Sequence, residues 1–247
     1  MTTQELYRNL KQELERLVRL HHLNESPIML KSRGLSPEEA IGNTVRRDYP
    51  ILAGKEVMLQ ARFGNSLGQA FTDAPSDFCG TLDDVLALDP ENDAHSRGLL
   101  VATLNAVMRH TGDIDHTVHC RNDDLERCAE AYAARIRELC GSPRVTLIGY
   151  QPALTARLSQ EFPLRVLDMN PQFVGSVKSG ITIENGNESY GNAVLDWPDL
   201  VLCTGSTLCN GSFVNFIDIG KPVIFFGISG AAAARLFSLP RFCPCSY

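Results

Sequence analysis

Apolar residues recur at helical spacing from the start of the chain. Leu6, Leu10, Leu14, Leu17 and Val18 share one side of a 3.6-residue repeat, with charged residues between them. This predicts a helix over residues 3–23. Residues 27–31 read as a strand. Ser36-Pro37-Glu38-Glu39 is a helix start, with Ser36 as N-cap, Pro37 in the first helical position and Glu39 placed to close a capping box. Residues 56–62 and 68–72 pair as strands across a turn that holds Gly64 and Asn65. Thr81 caps another helix, and a longer one covers 94–110. Residues 111–121 form a polar connection. A helix over 123–139 ends at Gly141, a residue type suited to the left-handed position past a helix end.

The pattern changes from residue 144. Short, largely apolar runs at 144–148, 164–167, 200–203 and 222–226 alternate with helical segments at 152–162, 208–219 and 231–237. A short helix or turn falls at 188–195. Largely apolar strands between helices mark a parallel sheet covered on both faces. The expected fold class is therefore α/β, with two domains. A smaller α+β domain spans 1–121 and a parallel-sheet domain spans 122–247.

Composition narrows the function classes. The chain of 247 residues is 44 % hydrophobic, enough for a sizeable core, and carries a formal net charge of −6. That charge argues against nucleic acid or an anionic membrane as a partner, since both need a concentrated basic surface. No apolar run exceeds about five residues, far short of a membrane span. Charges throughout residues 1–23 argue against a secretion signal, so the cytoplasm is the expected location. Eight cysteines without a spaced framework read as free thiols in a reducing compartment. Cys128, Cys140 and Cys203 fall on predicted helices or strands and read as buried thiols.

Candidate chemistry gathers where predicted strands end. Leu200 to Cys203 hands over to Thr204, Gly205, Ser206 and Thr207, then to a helix that brings Asn210. Free N–H groups and a helix dipole at such a place favour an anion, and ligands collect at the carboxyl ends of open α/β sheets. The hydroxyls also serve as helix caps, so the motif reads as a grip without an acid or base. Gly149-Tyr150 follows the first strand of this half, without the glycine fingerprint of dinucleotide-binding turns. Asp168 follows the next strand, where a carboxylate can take ribose hydroxyls or simply cap a turn with Asn170. Gly227 and Ser229 follow the fourth strand and complete one crevice. Asp73, Asp168 and Tyr150 are the candidate acids and bases. Lys31, Arg33, Arg46 and Arg47 offer positive charge for an anionic ligand. Cys243-Pro244-Cys245 is the sharpest metal hint, although metal-binding cysteine pairs usually stand further apart. Cys209, Cys79, Cys120, His116 and His119 are the candidates to complete such a site.

Several of these stretches carry a family likeness. Thr204-Gly-Ser-Thr-Leu-Cys-Asn-Gly-Ser, Phe225-Phe-Gly, Ala231 to Leu236 and Arg241-Phe-Cys-Pro resemble the C-terminal domain of the "putative heavy-metal-chelation" family. Gly68-Gln-Ala-Phe-Thr and the helix from Gly98 to Ala106 resemble motifs of its N-terminal domain, the latter with spacing that departs by one residue. The resemblance covers most of residues 40–245. It implies a Rossmann-like C-terminal domain after a domain like the N-terminal domain of enolase, and a context of metals or metallocofactors.

The expected function is binding of a small anionic ligand or metal complex in the interdomain crevice. An enzyme using a nucleotide-like or S-adenosyl cofactor on a metal-linked metabolite is the alternative, and a soft-metal chaperone built on the cysteines is a third reading. The cofactor left open is a soft metal ion or a nucleotide-like molecule. A second copy of the chain is an open partner.

Overall fold

The computed structural model describes residues 1–25, 29–53 and 56–247. Its amino-terminal part begins with helix α1 (Thr3–Leu20), which buries the predicted stripe Leu6, Leu10, Leu14, Leu17 and Val18, together with Tyr7. Thr2 and Glu5 close a capping box at its start, satisfying two N–H groups that the helix itself leaves unpaired.

Four strands form an antiparallel sheet: β1 (Leu30–Leu35), β2 (Val57–Phe63), β3 (Ser66–Thr72) and β4 (Phe78–Gly80), in the order β3-β2-β1-β4. Phe63 pairs with Ser66 across the two-residue loop Gly64-Asn65. Gly64 has φ +59°, which suits a glycine in the first loop position of a twisted hairpin. The strand expected at 27–31 begins at Leu30, and its first residues, Pro27 and Ile28, lie outside the described residues. Helices α2 (Pro37–Ile41) and α3 (Leu82–Leu86) start at capping boxes of Ser36 with Glu39 and of Thr81 with Asp84.

Helix α4 (Ala94–His110) is buried on nearly every side and packs against α1, β2 and β3. Gly68 makes the closest approach possible. A Cβ there would lie 2.2 Å from the Ala106 nitrogen and 2.3 Å from the Ala102 oxygen. Helix α5 (Asp124–Cys140) follows and ends at Gly141, with φ +71°.

The second sheet has six strands: β5 (Val145–Ile148), β6 (Leu164–Asp168), β7 (Val177–Lys178), β8 (Ile181–Asn185), β9 (Leu200–Thr204) and β10 (Val223–Phe226). Their order is β10-β9-β5-β6-β8-β7, parallel except for the edge strand β7. Helices α6 (Pro152–Leu158), α7 (Thr207–Asn210) and α8 (Ala231–Leu236) complete this part. Alternate strand residues face different cores. Ile148, Leu167, Val201 and Cys203 join the core that holds α1 and α4, whereas Val145, Leu147, Val166 and Leu202 join the core that holds α5 and α6. That two-sided burial explains the largely apolar runs.

Two buried polar side chains tie the sheets together. Asn105 of α4 donates from Nδ2 to the oxygens of Gln69 (3.0 Å) and Ile228 (3.1 Å), and its Oδ1 accepts from Ala232 N (2.9 Å). Ser229 Oγ accepts from Phe71 N at 2.9 Å. Each link joins the first sheet to the loop after β10.

One expectation is corrected. The helix expected over 208–219 stops after one turn at Asn210. Gly211 adopts φ +83° and a 3-10 turn over Ser212–Phe216 follows. Asn210 Oδ1 accepts from both Ser212 N and Ser212 Oγ, a local turn that competes with helix. The short element near 188–195 is a π-helical turn over Gly191–Asp196. The β7–β8 hairpin was not expected, although Ser179 (φ +50°) and Gly180 (φ +79°) between Lys178 and Ile181 are the signature of a two-residue hairpin loop. Among the described residues no helix is long and apolar enough to cross a membrane.

Candidate functional site

The order of the second sheet creates a crevice by itself. From β5 the chain moves to β6 and β8 on one side, then returns to β9 on the other. The loops after β5 and β9 therefore lead in opposite directions, and a ligand-sized gap opens where they part. A cleft of about 700 Å³ occupies this place, between the strand ends of the second sheet and residues Tyr49, Glu56, Phe71–Asp73 and His119–Cys120 of the first part.

Most of the expected ligand residues line it: Gly149, Tyr150, Asp168, Thr204, Ser206, Thr207, Asn210, Gly227 and Ser229, with Cys209 and Cys243. Gly205 and Cys245 do not. Gly205 has a different constraint. A Cβ there would meet Gly230 N at 2.3 Å and Gly230 Cα at 2.8 Å, so two backbones touch and the glycine serves the fold. Gly149 (φ +87°) likewise abuts Thr204, whose Cγ2 would lie 2.7 Å from an added Cβ.

The polar groups of the β9 turn largely satisfy one another. Thr207 Oγ1 donates to Thr204 O at 2.7 Å, Thr204 Oγ1 lies 3.1 Å from Ser206 Oγ, and Ser206 N donates to Thr204 Oγ1 at 3.3 Å. Asp168 accepts from Tyr150 N and Asn170 N, both at 2.7 Å, one on each oxygen. Tyr150 OH donates to Asp48 Oδ2 at 2.6 Å, and burial leads the causes that raise the phenol above its ordinary range. The buried Ser229 hydroxyl is held by Phe71 N. Arg33 and Arg46, expected as positive charge for a ligand, pair with Glu39 and Glu126 instead.

Beside the expected Asp73, His119 and Cys120, the facing wall carries Glu56 and Tyr49, which no sequence motif announced. Burial pushes the Glu56 carboxyl up to about 7, and the charges of Asp168 and Asp73 push in the same direction. Three carboxylates thus bear on one region of the cleft, and no Lys or Arg is among its described lining residues. The Tyr49 hydroxyl is buried with no hydrogen-bond partner among the described residues. His119 packs edge-on against Phe71, with ring centroids 5.8 Å apart. Its Nδ1 lies 2.6 Å from the Cys120 oxygen. A carbonyl only accepts, so Nδ1 carries the proton and Nε2 keeps a lone pair. Burial lowers the pKa of this imidazole, which holds it neutral. Glu56, just before β2, gave no spacing signal. Only burial against Asp168, 112 positions later, gives Glu56 its character.

The cysteines divide between the two cores. Cys209 belongs to the α4 side, and burial, reinforced by Asp73, pushes its thiol up to about 12. Cys243 and Cys245 pack on the α5 side. The expected trio of Cys209, Cys243 and Cys245 is therefore not assembled, and among the described residues no group of three or more His, Cys, Asp or Glu is arranged to hold an ion. His116 is engaged elsewhere, with Nδ1 2.6 Å from Ser246 O, and Cys79 is exposed on β4.

A mixed α/β protein with an antiparallel and a parallel sheet, and a cleft at the switch point of the latter, is the class these observations define. Residues 133–240 match the family model described as "Putative heavy-metal chelation" (DUF364), the family whose motifs the sequence resembles. A DUF364 protein of unknown function from Pyrococcus horikoshii has a similar structure. It is 14 % identical, with 91 % of this chain and 80 % of that chain covered, at a TM-score of 0.53. Another DUF364 protein of unknown function, from Desulfitobacterium hafniense DCB-2, is 16 % identical over 73 % of this chain and 72 % of that chain, at a TM-score of 0.47. The Pyrococcus likeness is one of fold. No curated protein matches the chain.

Proposed function

We propose that the chain is a small-molecule-binding protein whose cleft takes a metal complex, with the cationic centre facing Glu56, Asp73 and Asp168. The observation that carries this reading is the convergence of three carboxylates on a switch-point cleft that no described Lys or Arg lines. Glu56 resists ionising in this half-dry cleft, and an entering cation would relieve that cost. The family description supports a metal. The lack of any ready set of three protein ligands among the described residues favours a metal that arrives with its own organic or ammine ligands.

The same facts weigh against a purely anionic ligand. The helix after β9 is a single turn, so its dipole is small, and the turn hydroxyls are already paired. Asn210, Ser206 and Thr207 then serve as neutral hydrogen-bond partners at the rim.

One observation favours an enzymatic second reading. A carboxyl brought to about 7 is poised to give and take a proton at neutral pH, so Glu56 is the candidate acid or base for a cleft-bound substrate. Asp168 and Tyr150 are less suited, since their polar atoms are committed to Tyr150 N, Asn170 N and Asp48.

Calorimetry with hexaamminecobalt(III), which exchanges no ligand and carries only positive charge and N–H donors, tests the reading. The expected result is salt-sensitive binding that weakens about tenfold in Glu56→Gln and in Asp73→Asn, one lost charge contact being worth about 1.4 kcal/mol. Binding of an anionic EDTA–cobalt(III) complex in preference, or parental affinity in both variants, overturns it.

A further inference from the structure

We propose that His119 supplies the protein's ligand to the metal in the cleft: its Nε2 takes a single open coordination position on a complex that brings its remaining ligands with it. This rests on the cleft reading above and assigns a residue to it.

Position and chemistry agree at His119. It lines the cleft, together with Phe71 and Tyr49. The segment that carries it is tied down on both sides. Gln69 N donates to Thr117 O at 3.1 Å and Thr117 Oγ1 donates to Leu67 O at 2.6 Å, so the segment runs along β3. Val118 exchanges backbone hydrogen bonds of 2.9 and 2.8 Å with Tyr247. His119 N donates to Gln69 Oε1 at 2.7 Å, and Gln69 Nε2 donates to Gln60 Oε1 at 2.8 Å. The ring is oriented by its edge-on contact with Phe71 and by the 2.6 Å bond from Nδ1 to Cys120 O. A backbone carbonyl on one ring nitrogen is a common means of fixing the tautomer of a metal-ligating histidine. Nε2 keeps its lone pair and has no hydrogen-bond partner among the described residues. His116 repeats only half of this arrangement. Its Nδ1 lies 2.6 Å from Ser246 O, but its Nε2 lies 3.9 Å from Asp115, and it is not among the described lining residues of the cleft.

A second group in the same cleft is short of a partner. Tyr49 is 6 % exposed, and its hydroxyl is buried with no hydrogen-bond partner among the described residues. A buried hydroxyl without a partner carries a desolvation cost that a ligand can offset. Amine ligands on a metal offer N–H groups, and the Tyr49 oxygen accepts one.

The count of donors selects a complex over a bare ion. Among the described residues no group of three or more His, Cys, Asp or Glu is arranged to hold an ion, so a bare ion would be left short of ligands. Imidazole suits zinc, copper, iron and nickel. Nε2 donates its lone pair and displaces one water from the metal. One metal–nitrogen bond forms as one metal–oxygen bond breaks. Nδ1 keeps its proton, and no atom changes oxidation state.

The test uses nickel(II) held by the pentadentate amine tetraethylenepentamine, a dication with one exchangeable position and several N–H groups. Proton NMR of the full chain with this complex should show one strongly downfield-shifted resonance that vanishes in deuterium oxide, the Nδ1 proton of a nickel-bound imidazole. His119→Gln should lose that resonance and bind the complex at least about tenfold more weakly, whereas His116→Gln should keep both. Tyr49→Phe should keep the resonance, unfold no earlier than the parent, and weaken binding about fivefold. Hexaamminecobalt(III), which has no open position, should bind His119→Gln as it binds the parent, and this shows that the variant's cleft is intact. A parent complex without the shifted resonance, or a resonance that survives in His119→Gln, overturns the assignment. Either result with hexaamminecobalt(III) still bound strikes the role of His119 alone, whereas a parent that binds neither complex strikes the cleft reading with it.

Discussion

The two walls of the cleft differ in where their partners come from. The β9 turn, Thr204 to Asn210, draws on neighbours in the chain. Thr207 bonds to Thr204, Ser206 to Thr204, and Asn210 to Ser212. The facing wall is assembled from residues far apart in sequence, and its polar groups are left short of partners. Glu56 meets the charges of Asp73 and Asp168, and the Tyr49 hydroxyl has no partner among the described residues. A recognisable local motif tends to satisfy itself, because its spacing is what lets its own groups meet. Unmet polar demand builds up where distant segments are forced together by the fold, and such groups are the ones a ligand can satisfy.

The contrast breaks most readily at Gly205. If the β9 turn serves the fold, Gly205→Val drives two methyl groups into the Gly230 backbone and should cost at least about 3 kcal/mol, well beyond ordinary overpacking. Thermal unfolding measures this directly. A variant with the parent's midpoint that fails to bind in the cleft would return the glycine to a ligand-facing role.

Glu56 sharpens the comparison from the other side. Its pKa rises from 4.5 in the unfolded chain to about 7 in the folded one. Between those values the native state holds more protons than the unfolded state, so stability is lost as pH rises through about 7. Glu56→Gln removes that loss. The variant should match the parent near pH 5 and exceed it at pH 8.5 by about 2 kcal/mol, after allowance for the part of the group that meets water. Urea unfolding at the two pH values decides it. Equal differences at both would mean that the carboxyl is not set apart by its surroundings.

Ser206→Ala should have the smallest effect. Its hydroxyl shares one 3.1 Å contact with Thr204, so roughly 0.5 kcal/mol of stability is at stake. Calorimetry of the cleft probe should show less than a threefold change. A tenfold loss would make the turn a true ligand grip and move the chemistry to the β9 side.

Much of this protein was determined by the sequence read alone. The stripe of Leu6, Leu10, Leu14 and Leu17, the helix caps at Ser36 and Thr81, the Gly64-Asn65 hairpin and the largely apolar strands after residue 144 are local patterns, and each formed the expected element. Periodicity and capping act within a few residues, so a linear chain displays them in full. The strand ends that line the cleft were legible for the same reason, since a strand and its following turn adjoin in sequence. Only the tertiary structure decided what those residues do. It set Gly205 against Gly230, turned Asp168 toward Tyr150 N and Asn170 N, ended the helix at Gly211, and packed Cys120, Cys128 and Cys245 from three segments into the α5-side core. Burial, charge and close approach depend on which remote surfaces pack together, and no local pattern carries that information.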